Sequence, residues 1–263
     1  MATATMRDTE VDLANHLPQG RLRLCPERAV WWTPDPGQRG GTLLIADPHL
    51  GKADLFRRRG IPVPHAAAEA DLDRLSSLLE RTAADRLIVL GDLLHSRPEP
   101  GDATVETVAA WRDRHVELET LLVRGNHDRH AGPPLEPWRM SCCDEPCVLE
   151  DLPFVLRHHP EDDDRGPVLC GHVHPAVTPR SGTREATLRM PCFHWEPGPL
   201  PGSGHATGRG RLTLPAFGGF TGTHRIQPAE NDRVFAITET SVLELPPEML
   251  HNRRHFARPP RRR

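Results

Sequence analysis

Residues 42–49 read TLLIADPH, residues 86–92 RLIVLGD and residues 119–128 ETLLVRGNHD. Each is a short apolar run of the kind that fills a buried strand, and each stops abruptly at Asp, Asn or His. Between them lie two stretches with helical spacing. Leu72, Leu75, Leu78 and Leu79 mark one face of a helix from about His65 to Arg81, with Pro64 suited to its start. Val105, Val108, Ala109 and Val116 mark a second, over residues 102–117. This alternation predicts parallel strands joined by right-handed crossovers, and such sheets bind ligands beyond the carboxyl ends of their strands. The polar blocks sit at those ends.

Outward from this unit, RLRLCPERAVWW (21–32) alternates as an edge hairpin does, behind a polar start, residues 1–17, that reads as frayed. Beyond residue 128 the pattern changes. CVLE, PFVLR, PVLC, ATLRM, RLTLP, RVFAIT and SVLELP are short strands separated by turns, as in an antiparallel or mixed sheet. Residues 191–210 read as a Pro/Gly-rich loop and residues 251–263 as a basic, flexible tail. No internal repeat or linker divides the chain, so residues 1–263 read as one domain of two packed sheets with helices outside.

Composition narrows the setting. A net charge of −3 and a pI near 6.6 give no global attraction to nucleic acid or an anionic membrane, so affinity for a polyanion must be local or metal-borne. No run is long enough to span a bilayer and the first residues lack a signal peptide's apolar segment, which makes the cytoplasm the expected location. There the six cysteines read as free thiols. Cys142, Cys143 and Cys147 lack the further ligand pair that a tetrahedral soft-metal site needs. Of the 33 basic residues only Lys52 is lysine, a bias consistent with GC-rich coding, and it stands three residues past His49.

Five blocks carry the chemistry: Asp47-Pro48-His49, Gly91-Asp92, Gly125-Asn126-His127-Asp128, His158-His159-Pro160 and Gly171-His172-Val173-His174. Asp47 and His49 are two apart, as are His172 and His174, so in extended backbone each pair leaves the same side of the chain. Asp92 offers two oxygens, enough to bridge two cations. Asn126 adds a carbonyl and His158 or His159 an imidazole. Such an N/O set without thiolate favours Mn, Fe, Zn or Co. Two adjacent cations would hold a bridging hydroxide and clamp a phosphate in an in-line displacement. His127 would act as proton donor to the leaving oxygen, with the Asp128 carboxylate orienting it.

The order DxH, GD, GNHD, H, GHxH resembles the calcineurin-like metallophosphoesterases from about Leu43 to the last strands. The resemblance implies a four-layer α/β/β/α sandwich, two mixed sheets flanked by helices. It implies one metal on Asp47, His49, Asp92 and His174, and a second on Asp92, Asn126, His172 and a fourth-block histidine. The H-x-P context selects His158. His127 would be the catalytic histidine, with Asp128 as its partner.

ADPHLGKADLFRRRGIPVP, GDLLHS and LTLPAFGGFTG look, more narrowly, like the bacterial ligase-associated DNA damage response endonucleases. Those are manganese-dependent phosphodiesterases found alongside a DNA ligase, a helicase and an exonuclease. His95 in GDLLH matches a histidine carried by the DNA-cleaving members. Lys52 and the cluster Arg57, Arg58 and Arg59 are the candidate phosphate grips. Single-stranded DNA is the expected substrate, and with aromatics at 5% and no stacking platform it is expected to be cut without sequence preference. The acidic run Glu161–Asp164 beside the fourth block keeps open a smaller phosphoester: a nucleotide, a cyclic nucleotide or a phosphoprotein. A non-catalytic scaffold is disfavoured because every ligand position is filled.

Overall fold

The computed structural model describes residues 5–11, 20–35, 40–61, 67–98, 102–181, 184–185, 188–198 and 209–250. In chain order the first half comprises β1 (Thr9–Glu10), β2 (Arg21–Cys25), β3 (Ala29–Thr33), β4 (Thr42–Ile45), α1 (Lys52–Arg58), α2 (Ala67–Thr82), β5 (Arg86–Leu90), α3 (Ala103–Arg114), β6 (Glu119–Val123), α4 (Asn126–Ala131) and β7 (Ser141–Cys143). Its strands form one sheet in sequence order. β4, β5, β6 and β7 run parallel, as the alternation predicts, while β1 to β4 pair antiparallel.

The second half supplies β8 (Cys147–Val148), β9 (Val155–Leu156), β10 (Val168–Cys170), β11 (Pro175–Val177), the pair β12 (Arg180–Ser181) and β13 (Arg184–Glu185), β14 (Met190–Glu196), β15 (Arg211–Thr213), β16 (His224–Arg225), β17 (Arg233–Ile237), β18 (Val242–Leu245) and α5 (Pro247–Leu250). β12 and β13 pair only with each other; the rest form a mixed sheet ordered β16-β11-β14-β15-β10-β9-β8, with β17 and β18 attached through β14.

Alternation along each strand decides the layers. Leu22, Leu24, Leu44, Ile88 and Leu90 of the first sheet meet Leu156, Leu169, Phe193, Leu212 and Phe235 of the second in one buried cluster. The rings of Trp32 and Phe154 pack edge to face within it, 5.0 Å apart. Each such side chain contributes roughly 1.5–3 kcal/mol on burial. The alternate residues, Leu43, Ile45, Leu87, Val89 and Leu122, face Leu72, Leu75, Leu78 and Leu79 of α2 and Val108 and Trp111 of α3. On the far side of the second sheet a small cluster of Val177, Cys192 and Val234 is met by Leu250 of the four-residue α5. The sandwich of two mixed sheets is as expected, with a thin outer layer on the second.

Four sequence expectations shift. Met190–Glu196 is a strand, so the stretch read as loop from 191 begins as the pairing hub of the second sheet, and of the described residues in the strand read at 186–190 only Met190 belongs to it. Residues 7–11 are not frayed: β1 pairs with β2 and Val11 is buried. RLRLCPERAVWW is a hairpin but not the edge, because β1 covers it. Val116 lies past the end of α3 and is 58% exposed. His65, Pro64, residues 199–208 and the tail 251–263 lie outside the described residues.

Candidate metal centre

All five polar blocks converge where the two sheets meet. The turn after β4 is laced to the turn after β5: Asp47 N–H donates to Gly91 O at 3.2 Å and His49 N–H to Asp92 O at 2.9 Å. The second sheet reaches the same point, His172 N–H donating to Asp47 Oδ2 at 2.8 Å and Gly171 N–H to His158 O at 3.1 Å.

Asp92, 2% exposed, stands between two groups of ligand atoms. Its Oδ2 faces His49 Nε2 at 3.7 Å, and Asp47 Oδ1 lies 3.3 Å from His174 Nε2. Its Oδ1 faces His158 Nε2 at 3.6 Å. Around that nitrogen stand Asn126 Oδ1 at 2.9 Å and His172 Nδ1 at 3.0 Å. The first group could hold one cation and the second another, with Asp92 shared. His158 Nδ1–H is directed at Leu90 O at 3.2 Å, which leaves Nε2 as the ligating atom. His174 Nδ1–H is likewise directed at Gly222 O at 3.1 Å. His159 differs: its Nδ1 faces Glu145 Oε1 at 2.6 Å, so the geometry favours His158 of the two.

The calcineurin-like phosphoesterase family model matches residues 42–172, from β4 through the first histidine of GHVH. The crystal structure of Pseudomonas putida nuclease MPE is 36% identical, the match covering 91% of this chain and 100% of that one with a TM-score of 0.68.

The chain belongs to the calcineurin-like phosphoesterases.

It is a metal-dependent phosphoesterase. Yfce, a phosphoesterase from E. coli, matches at 14% identity and a TM-score of 0.35 over 80% of this chain and 99% of that one. No curated protein sequence matches the chain.

The residues of this phosphoesterase fit divalent cations on their own chemistry. Asp47 Oδ1 and His49 Nδ1 are buried without a hydrogen-bond partner, an expensive state for such atoms. His158 Nε2, Asn126 Oδ1 and Asp92 Oδ1 turn lone pairs toward one another, an arrangement that a cation relieves. Backbone conformation points the same way. Asp47, His49, Asp92, His172 and His174 all have positive φ, between 47° and 69°. The side chains of each x-spaced pair therefore converge from left-handed backbone, not from the extended backbone that the spacing suggests. Glycine makes the close approach possible: a Cβ on Gly91 would lie 2.1 Å from His158 Nδ1, and one on Gly171 2.5 Å from Asp47 Oδ2.

Burial shapes the imidazoles. It lowers the His49 pKa to about 2, helped by the neighbouring His174, His127, Lys52 and His95, and lowers that of His158 to about 4. Both are therefore neutral ligands at physiological pH. A histidine with a folded pKa below its unfolded value contributes its full stability above the unfolded pKa, near 6.5, and loses it as pH falls toward the folded one. The metal-stripped protein is expected to melt progressively lower between pH 7 and pH 5, each such histidine costing at most about 1.4 kcal/mol per pH unit below pH 6.5. A melting temperature flat across that window would refute the assignment of these two buried, neutral imidazoles.

His127 stands at the edge of the centre, its Nε2 3.9 Å from Asp92 Oδ2. Its backbone N–H donates to Asp92 Oδ1 at 2.9 Å, and its Nδ1–H is directed at the backbone carbonyl of His95 at 2.9 Å. Asp128 does not orient it, contrary to the sequence expectation. The Asp128 carboxylate, whose pKa burial raises, accepts Gly125 N–H at 2.9 Å and Leu94 N–H at 3.4 Å and so fastens the third block to the second. The His95 ring stacks on His127 with centroids 5.3 Å apart and meets His49 edge-on at 5.6 Å.

The expected phosphate grips separate. Lys52 opens α1 close enough to His49 and His95 to depress both their pKa values, and burial lowers its own. Arg57 is bonded to Asp54 within α1, and Arg58 to Asp102 at the start of α3, so both guanidiniums are engaged by carboxylates. Arg59, the last of the arginine cluster, is exposed and near enough to His95 to act on its charge. The acidic run is also committed: Glu161 and Asp163 pair with Arg157, Asp163 with Arg165, and Asp162 with Arg211. All six cysteines are unpaired.

Proposed function

We propose that this phosphoesterase hydrolyses phosphodiester bonds of DNA as a single-strand-preferring endonuclease in repair, with manganese as its metal. The likeness to Pseudomonas putida nuclease MPE along 91% of the chain carries the choice of a nucleic-acid diester. The pairing of the acidic run with Arg157, Arg165 and Arg211 supports it, since that run no longer argues for a smaller ester. Asp47, His49, Asp92 and His174 would hold one cation, and Asp92, Asn126, His158 and His172 the other.

When bound, the pair supplies Lewis acidity toward the phosphate oxygens and lowers the pKa of water in the site. The chain's own residues do the rest. The His95 carbonyl accepts Nδ1–H of His127 and orients the ring; as imidazolium, His127 gives its Nε2 proton to the departing sugar oxygen and is left as the neutral Nδ1–H tautomer. Lys52 adds positive charge beside His49 and His95 for the flanking phosphate. Partnership with a DNA ligase, a helicase and an exonuclease, and a cytoplasmic location, belong to the same proposal.

Metal-stripped protein reloaded with each cation in turn and given circular single-stranded DNA tests this reading. Cutting of the circle with manganese supports it; hydrolysis of bis-p-nitrophenyl phosphate with an uncut circle in every metal refutes it. His95→Ala leaves the backbone carbonyl that holds His127 and removes only the ring. It is expected to lower DNA cleavage by about 10²-fold, the low end of a positioned catalytic group's contribution, and to spare the small diester. Equal losses on both substrates would refute a role in DNA handling.

A further inference from the structure

Away from the metal centre, a cavity of about 580 Å³ is lined by Arg28, Arg74 and Arg189. Its position follows from the topology. Arg28 lies in the β2–β3 turn, at the end of the first sheet where Ala46 leads into Asp47. Its Nη1 donates to Ala216 O at 3.3 Å, and Ala216 is bridged to Ala46. Arg74, on α2, donates to Phe217 O. Arg189 Nη1 donates to Thr223 O at 3.1 Å. Residues 216–223 are thus held by guanidiniums on one side and abut the metal centre on the other. Gly218 N–H donates to Asp47 O at 3.4 Å, and Gly222 O accepts from His174.

The charge here is only partly cancelled. Burial and the neighbouring Arg74 lower the pKa of Arg28, and Asp71 opposes them. Arg74 pairs with Asp71 at 3.0 Å, whereas no carboxylate lies within ion-pair distance of Arg28 or Arg189 among the described residues. Of the two acids at the cavity, Glu27 is held by Arg81 and Glu239 is exposed at the surface. Two like charges lodged in one cavity, with donors left over, are the usual makings of an anion site, and guanidinium suits phosphate in particular. Leu188, 70% exposed, and Met6, 37% exposed, give the same cavity apolar surface without an aromatic ring.

We propose that this cavity seats the phosphate backbone of the nucleic-acid strand flanking the scissile bond, with Arg28 and Arg189 contacting its phosphates. This rests on the nuclease reading above. It gives a chain of net charge −3 the local basic surface that its composition requires of a polyanion-binding protein. Phosphate contacts set register without reading bases, and the apolar lining lets any base lie against it.

The test uses the manganese-loaded full chain, wild type against the double variant Arg28→Gln/Arg189→Gln and against Arg189→Gln alone. Two lost phosphate contacts should flatten the log–log salt dependence of single-stranded oligonucleotide binding by about 1.4, and one by about 0.7. The KM for the oligonucleotide should rise about tenfold in the double variant with kcat little changed. Hydrolysis of bis-p-nitrophenyl phosphate corrects for any loosening of residues 216–223: kcat/KM for the oligonucleotide should fall about tenfold relative to that for the small diester. An unchanged slope and KM in a variant that keeps its diesterase activity overturns the proposal while leaving the nuclease reading standing. Because Arg189 is exposed, its single variant decides the matter even if the double variant does not fold. Wild-type protein that binds no oligonucleotide overturns both.

Discussion

Asp92→Ala is expected to eliminate manganese-dependent hydrolysis of bis-p-nitrophenyl phosphate, a loss of at least about 10³-fold. Removing one group that stabilises transition-state charge already costs about 10²–10³, and Asp92 does more than one job. Its two oxygens face His49 and His158, on opposite sides of the centre, at 3.7 and 3.6 Å. Oδ1 also accepts the His127 backbone N–H at 2.9 Å. Alanine therefore removes a ligand from both groups and unfastens the proton donor. Asp92→Asn keeps an acceptor for His127 but removes the charge, and should fall between alanine and wild type. Bound manganese measured by elemental analysis should drop in step with activity, while circular dichroism stays native. Full activity or full metal content in the alanine variant would show that Asp92 is not shared.

The second large effect belongs to His127. His127→Ala should slow DNA cleavage by about 10²–10⁴, the usual contribution of a positioned general acid. The sugar alkoxide needs a proton to leave, whereas p-nitrophenolate departs as a stabilised anion. Hydrolysis of bis-p-nitrophenyl phosphate should consequently suffer far less. Metal content should not change, because His127 is assigned as proton donor and neither ligand group includes it. A loss equal on the two substrates would assign His127 to metal binding or architecture instead of proton transfer.

Strand-end reading located the blocks because periodicity and burial act locally: TLLI, RLIVL and ETLLV are strands, and their polar successors meet. What failed depended on contacts that spacing cannot express. His127 and Asp128 are neighbours in sequence, which suggested partners. They open α4, where adjacent side chains diverge, so Asp128 turns to backbone amides across the loop and a carbonyl 32 residues away takes His127.

Arg57 offered a readable warning, since Asp54 stands three residues earlier on the same helix face. Arg58 offered none, because Asp102 is distant in sequence. The strand at Met190–Glu196 was hidden by the Pro and Gly residues that follow it. The left-handed backbone at five ligand positions was invisible too, because non-glycine residues seldom adopt it and only surrounding contacts impose it.

The lacing of Asp47 to both sheets has a consequence for biosynthesis. Its Oδ2 is held by His172, 125 residues on, and its carbonyl by Gly218 and the Thr221 hydroxyl, 174 residues on. The ring of His174 awaits Gly222. A ribosome-bound chain that has exposed only its first sheet holds Asp47, His49, Asp92 and Asn126 but none of the histidines that complete the second ligand group. Neither ligand group is complete until His158, His172 and His174 dock beside Asp47 and Asp92, so the chemistry assigned to the site waits on the second sheet closing over the first.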